Sequence, residues 1–438
     1  MDSLGNKSTS RLGILLLSCV IFSPASGRAQ DHIESLKKEL HEMQQKMQMM
    51  IERIEQLENE KGPDKAVPSK SEKDSKLQSP SPGIQRSTAG LGTTQLLSGA
   101  VGAVSRAFNP AISVNGIFLG GTASSVGSSN RLTGLNFENG FNLQEAEFRF
   151  VSDVDPFFRA DLTLAVDREG EIELEEGFVT SSQLPGEILP RGMGLKAGKF
   201  FTDFGKHNLL HTHQFPFIDR PLVSQAAFGD EGLNEPGIGG NYLLPTPWFS
   251  EITFQGLQGD NPNLFRLSSV EKARGAYLGH LKNFFDLSDE TTLEFGQSYV
   301  GGRNTGSGYS QAVGIDLTLK WRPLDRALDR ALIWQNEYIF FSVDEDGKNV
   351  QNNGGLYSSL QYRLSRLWWL QGRYDLLGVP NPKEGLRHRW TVLAALVPSE
   401  FSALRFQYSR TNQEKGRGIH QFLFQLNFTI GSHPAHRY

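Results

Sequence analysis

From Ala111 onward, apolar and polar residues alternate with a period of two. Near the C-terminus, Phe422, Phe424, Leu426, Phe428 and Ile430 alternate with Gln421, Gln425, Asn427 and Thr429. Leu162 and Leu164 flank Thr163, and Val313, Ile315, Leu317 and Leu319 are separated by Asp316, Thr318 and other small or charged residues. Successive strand residues point to opposite faces, so each run predicts a strand with one apolar and one polar face. The pattern predicts sixteen strands, at 111–121, 143–154, 156–167, 171–182, 191–202, 237–244, 248–258, 273–284, 291–300, 311–323, 331–343, 355–364, 366–377, 386–397, 401–412 and 418–430. The polar faces carry charge, which a dry interior cannot accommodate. Lipid outside and water inside satisfy both faces. The expectation is an all-β, transmembrane, antiparallel β-barrel of about 16 strands over 111–431.

A different period governs the N-terminal part. Ile33, Leu36, Leu40, Met43, Met47, Met50, Ile54 and Leu57 are spaced alternately by three and four residues. That heptad pattern predicts a short α-helical coiled coil over 31–61 and self-association through it. Gly62-Pro63 ends the helix. Residues 62–110 read as a flexible linker, rich in Lys, Ser, Pro, Asp and Gly up to 92, with a short helix at 94–108 that caps or plugs the periplasmic mouth. Ahead of the coiled coil, 1–29 has the form of a secretory signal peptide: Lys7 and Arg11, the apolar run Leu12 to Phe22, then small residues at Gly27 and Ala29. Leu16-Leu17-Ser18-Cys19 resembles a lipoprotein cleavage box, but the apolar run continues past it to Phe22. Residues 432–438 form a tail. Export plus a barrel places the chain in the outer membrane of a Gram-negative bacterium, in contact with lipid. The coiled coil would lie in the periplasm, within reach of the cell wall.

Composition narrows the chemistry. The single cysteine, Cys19, falls in the signal segment, so the mature chain has no disulfide and no cysteine-based zinc site. A formal net charge of -4 gives no reason to expect nucleic acid. Beyond the N-terminus no run reaches the roughly 18 apolar residues of a membrane helix.

Charges on the polar faces would line the lumen and bias permeation. The candidate cations are Arg149, Arg159, Lys196, Lys320, Arg322, Arg363, Arg373, Arg389 and Arg405. The candidate anions include Glu145, Glu147, Glu171 and Glu173. Acids concentrate in the second to fourth strands and bases in the C-terminal half, which predicts a transverse field. Glu171, Glu173 and Glu175 share one face by alternation, with Glu176 on the other. The loop 203–236 is the richest in chemistry, and His207, His211 and His213 are candidate ligands for a transition metal. No GxSxG motif or other catalytic constellation points to an enzyme, and no cofactor is implied.

The stretch Ala197-Gly198-Lys199-Phe200-Phe201-Thr202-Asp203-Phe204-Gly205-Lys206, a strand running into an inward loop, resembles the phosphate-selective porin O and P-like superfamily. His211-Thr212-His213, Asp219-Arg220-Pro221, Gly229-Asp230-Glu231-Gly232-Leu233 and Leu243-Leu244-Pro245 are similar to members often labelled zinc-regulated outer-membrane receptors. The resemblance implies a trimeric porin. Phosphate selectivity in that superfamily depends on a dense ladder of arginine and lysine, and none is identifiable here. The functional expectation is passive diffusion of small hydrophilic solutes, anions among them. The alternatives are a metal-linked (zinc) receptor and an envelope-tethering structural protein.

Overall fold

The structure, a computed structural model, describes residues 110–124, 139–184, 188–265, 275–304, 308–344, 350–381, 385–413 and 418–431. The signal segment, the coiled coil, the linker up to residue 109 and the tail lie outside the described residues. Sixteen strands follow one another: β1 Ala111–Ala123, β2 Gly140–Asp153, β3 Arg159–Asp167, β4 Ile172–Ser181, β5 Met193–Phe201, β6 Asn234–Leu243, β7 Phe249–Leu257, β8 Ala276–Ser288, β9 Thr291–Arg303, β10 Tyr309–Trp321, β11 Ala331–Asp344, β12 Val350–Arg363, β13 Trp368–Leu377, β14 Arg387–Ser399, β15 Ser402–Gln413 and β16 Ile419–Gly431. Each pairs antiparallel with its neighbours, and β1 pairs with β16 from Ser113↔Gly431 to Ala123↔Gln421, closing the barrel. Every predicted strand is present, and Val350–Arg363 shows the largest boundary shift, its start lying ahead of the predicted 355. There Gln351 to Asn353 pair with β11 although their side chains break the alternation.

The two faces have the inverse of a soluble protein's polarity. Phe406, Phe422, Ile430, Val392, Trp390, Ile315, Leu360 and Leu370 are exposed on the outside. Ser113, Asn115, Gln335, Gln407, Ser409, Gln421 and Gln425 are buried on the inside. An apolar exterior around a polar interior suits a barrel surrounded by lipid. Two aromatics turn inward: Phe200 and Phe201, at the end of β5, are buried. They pack where the chain leaves the barrel wall for the lumen.

Candidate functional site

β5 and β6 stay paired up to Phe201↔Asn234. Between these partners, 202–233 folds into the barrel. Asn208 ties the neck of this segment: its amide donates to the carbonyls of Thr202 and Leu233, both at 3.0 Å, and its oxygen accepts the Leu233 N–H at 2.8 Å. Near one end, the Gly205 N–H donates to Ser298 Oγ on β9 at 2.8 Å. Further along, Phe217 and Ile218 pack with Leu119 of β1, Leu423 of β16, and Leu393 and Ala395 of β14. In a ring of sixteen strands, β1 and β9 stand opposite each other. The segment therefore bridges the lumen.

Its fold is written in its residues. Gly205 sits at φ +60, and a Cβ there would collide with the Glu337 carboxylate. Pro221 opens the two-turn helix α1, Leu222–Phe228, and Gly229 at φ +83 ends it. The first free N–H of α1, on Leu222, donates to Asp375 Oδ1 at 3.0 Å. Leu222, Val223, Ala227 and Phe228 pack with Phe204 and Leu233 against Val300, Ala312, Ile339, Tyr357 and Leu377 of the wall.

Two buried polar clusters fasten the segment. In the first, Asp219 meets Arg373 (3.0 Å) and Arg389 (2.6 Å), while Asp375 meets the same guanidiniums at 2.8 and 3.1 Å. Two carboxylates and two guanidiniums cancel in charge, and alternating pairing satisfies a burial that would otherwise be costly. In the second, His211 Nδ1 lies 3.0 Å from Glu175 and 3.5 Å from Glu147, and Nε2 lies 3.0 Å from Glu176. His213 Nδ1 is 2.9 Å from Glu147. A shift of register between Thr163 and Leu164 inserts one extra residue into β4, so that Glu175 and Glu176 are both buried against the segment. A second shift, in the β1–β2 pairing between Ile117 and Phe118, lies beside Glu145.

Burial disfavours a charged His211, but the carboxylates of Glu147 and Glu175, with hydrogen bonds to Glu175 and Glu176, outweigh it. They hold the pKa well above the ordinary value. His207 goes the other way: burial, reinforced by Arg220 and Arg373, pushes it well below. Its ring packs on Phe215 with centroids 4.7 Å apart and lies edge-on to Tyr357. Glu147, Glu175 and His211 each offer one ligand atom, all within 4.8 Å of one another, a spacing that can hold a metal ion.

No known family profile matches the chain. An uncharacterised protein of Aquifex aeolicus is 30% identical over 346 residues, covering 69% of this chain and 71% of that protein. The chain belongs to that protein's family. Among solved structures, OprB of Pseudomonas putida matches 77% of this chain and 97% of its own length, with TM-score 0.52 and 9% identity. The outer membrane channel DcaP of Acinetobacter baumannii matches 74% of this chain and 96% of its own, with TM-score 0.49 and 11% identity. At 9% identity the OprB likeness carries the fold alone, and that fold is a porin-type barrel.

In this member of the family, several charges expected to line an open lumen hold the segment or one another. Arg373 is buried in the Asp219 cluster, and Arg405 donates to the Phe215 carbonyl at 2.7 Å. Arg149 is paired with Asp161. Lys196 lies over the rings of Phe178 and Phe200 at 4.0 and 4.4 Å. Glu145 and Glu147 belong to the histidine cluster, where Glu145 Oε1 is buried without a hydrogen-bond partner. Glu171 and Glu173 are exposed, and Glu173 is 3.6 Å from Lys199. Arg159 is exposed at the β2–β3 turn beside Asp153. Lys320, Arg322 and Arg363 gather at the ends of β10 and β12, where Arg322 repels both of the others. Local pairing thus takes up several of the charges expected to build a transverse field.

The histidines also divide. His211 and His213 face β2 and β4, whereas His207 packs on Tyr357 of β12, so the three do not form one ligand set. Glu176 was assigned by simple alternation to the outer face and is buried inside. The extra residue in β4 moves it, and no residue type in Glu173-Leu174-Glu175-Glu176 marks that insertion. The structure also joins Ser298 to His280 at 2.8 Å. The Ser298 hydroxyl accepts from Gly205, so this pair positions the segment.

Proposed function

We propose that the chain is an outer-membrane channel through which small hydrophilic solutes diffuse passively beside a constriction formed by 202–233, and that it favours anions. The observation that carries the reading is the pairing of an exposed apolar exterior with a polar interior bridged by one anchored segment. Such an exterior belongs in lipid, and a polar interior belongs in contact with water. Short turns join β2 to β3, β6 to β7, β8 to β9, β12 to β13 and β14 to β15 at the end where β1 starts. By the usual rule of outer-membrane barrels that end faces the periplasm. Lys320, Arg322 and Arg363 then concentrate positive charge at the periplasmic mouth, which attracts anions. A trimer, with the coiled coil 31–61 in the periplasm, fits this arrangement. The receptor reading built on His207, His211 and His213 gains no support from histidines that face different walls. The tethering reading rests on residues outside those described.

Reversal potentials across a planar bilayer under a salt gradient test the proposal. Stepwise conductance with anion preference is expected. The Lys320→Gln, Arg322→Gln, Arg363→Gln variant should shift the reversal potential toward cations. Absence of stepwise conductance from folded protein would overturn the channel reading, and an unchanged potential in the variant would overturn the anion assignment.

A further inference from the structure

We propose that His211, Glu147 and Glu175 bind one divalent transition-metal ion, with zinc the best match, and that the ion clips the constriction segment to the β2–β4 wall. Zinc takes imidazole nitrogen and carboxylate oxygen at about 2.0–2.2 Å, which spaces tetrahedral ligand atoms roughly 3.3–3.6 Å apart. His211 Nδ1 stands 3.0 Å from Glu175 Oε2 and 3.5 Å from Glu147 Oε2, so small displacements make room for the ion.

The other ring nitrogen carries the second observation. His211 Nε2 is 3.0 Å from Glu176 Oε2. A carboxylate accepting the far N–H of a histidine fixes the tautomer that leaves the near nitrogen free to ligate, the arrangement that supports histidine ligands in metal sites. A metal ion entering here displaces the Nδ1 proton, and the lone pair it frees faces two carboxylates.

Four glutamates, Glu145, Glu147, Glu175 and Glu176, surround this point, and Glu145 Oε1 is buried with no hydrogen-bond partner. Arg149, paired with Asp161, and Lys196, over two phenyl rings, bring positive charge near Glu147 and Glu176. Arg220 adds positive charge from the segment without pairing directly with the cluster. His213, already 2.9 Å from Glu147 Oε2, steadies that carboxylate from the side. The ligands come from β2, β4 and the segment, so the ion links the segment to the wall. The site is a property of the folded barrel and does not depend on conduction.

The test uses the full chain folded in detergent, stripped with EDTA and titrated with zinc chloride by calorimetry, with bound metal counted after dialysis. One zinc per chain is expected. Glu147→Gln and Glu175→Gln should each weaken binding at least tenfold. Glu176→Gln, a positioning change, should weaken it about 10- to 100-fold while leaving the stoichiometry at one. His207→Gln should leave the affinity unchanged. Zinc should raise the thermal unfolding temperature of the wild type but not of Glu147→Gln. Heat-modifiable gel migration confirms that each variant is folded. Two results would overturn the site. One is a folded wild type that binds no more zinc than the Glu147→Gln, Glu175→Gln double variant, leaving only a proton between the carboxylates. The other is loss of binding in His207→Gln with retention in Glu147→Gln.

Discussion

Single residues decide whether the segment stays inside. Gly205 holds a left-handed conformation with no space for a Cβ beside Glu337. Left-handed backbone costs an ordinary residue roughly 1–2 kcal/mol, and the collision adds to it. Gly205→Ala is therefore expected to destabilise the folded barrel by about 2 kcal/mol or more in denaturant titration; an unchanged midpoint would contradict the tight turn. Asp219 sits between two buried guanidiniums. Asp219→Ala leaves Arg373 and Arg389 sharing Asp375, a loss of about 3–5 kcal/mol for a broken buried pair. The same variant should give noisier or larger conductance steps, because the segment loses its lock on β13 and β14. Little of this was legible in the sequence. The residue types were visible, but Arg373 and Arg389 read equally well as free lumen charges. Their partner, Asp219, lies more than 150 positions away in the chain, and only the closed fold brings them together.

At the scale of elements, the strands were legible and their irregularities were not. Alternation with period two located all sixteen strands because every one has lipid on one side. An extra residue in β4 breaks that period without a sequence signal, which is why Glu176 was assigned to the wrong face. The loop 203–236 stood out by its histidines and its Asp-Arg-Pro, although its path across the lumen depends on contacts with distant strands. His207 gives this element a pH response. It is buried against Tyr357, with Arg220 on the segment and Arg373 on β13 opposing its protonation, while the nearby Glu337 accepts the His207 backbone N–H. Its folded pKa lies below the ordinary 6.5, so the unfolded chain binds the extra proton first as pH falls. Its contribution to stability is intact above 6.5 and declines as pH drops from there toward the lowered folded value. Denaturant midpoints followed downward from neutral pH should fall more steeply for the wild type than for His207→Gln. Parallel curves would contradict a neutral, buried His207.

For the whole molecule, the sequence indicated a water-filled lumen lined by opposed charges, and the structure adds a segment anchored across that lumen. Part of the expected lining is spent on that anchorage, among it Arg373, Arg389, Arg405 and Glu147. The charge left over gathers at the mouth, on Lys320, Arg322 and Arg363, and there selectivity should reside. The barrel does not need the segment to close, since β5 and β6 are in register up to Phe201↔Asn234, where a two-residue turn can join them. That makes the central claim directly measurable: replace 202–233 by an Asn-Gly turn, confirm folding by heat-modifiable migration, and compare single-channel conductance with the full-length chain. Larger unitary steps in the shortened barrel are expected, with weaker discrimination by solute size. Equal step sizes from two folded barrels would contradict a segment that crosses the lumen.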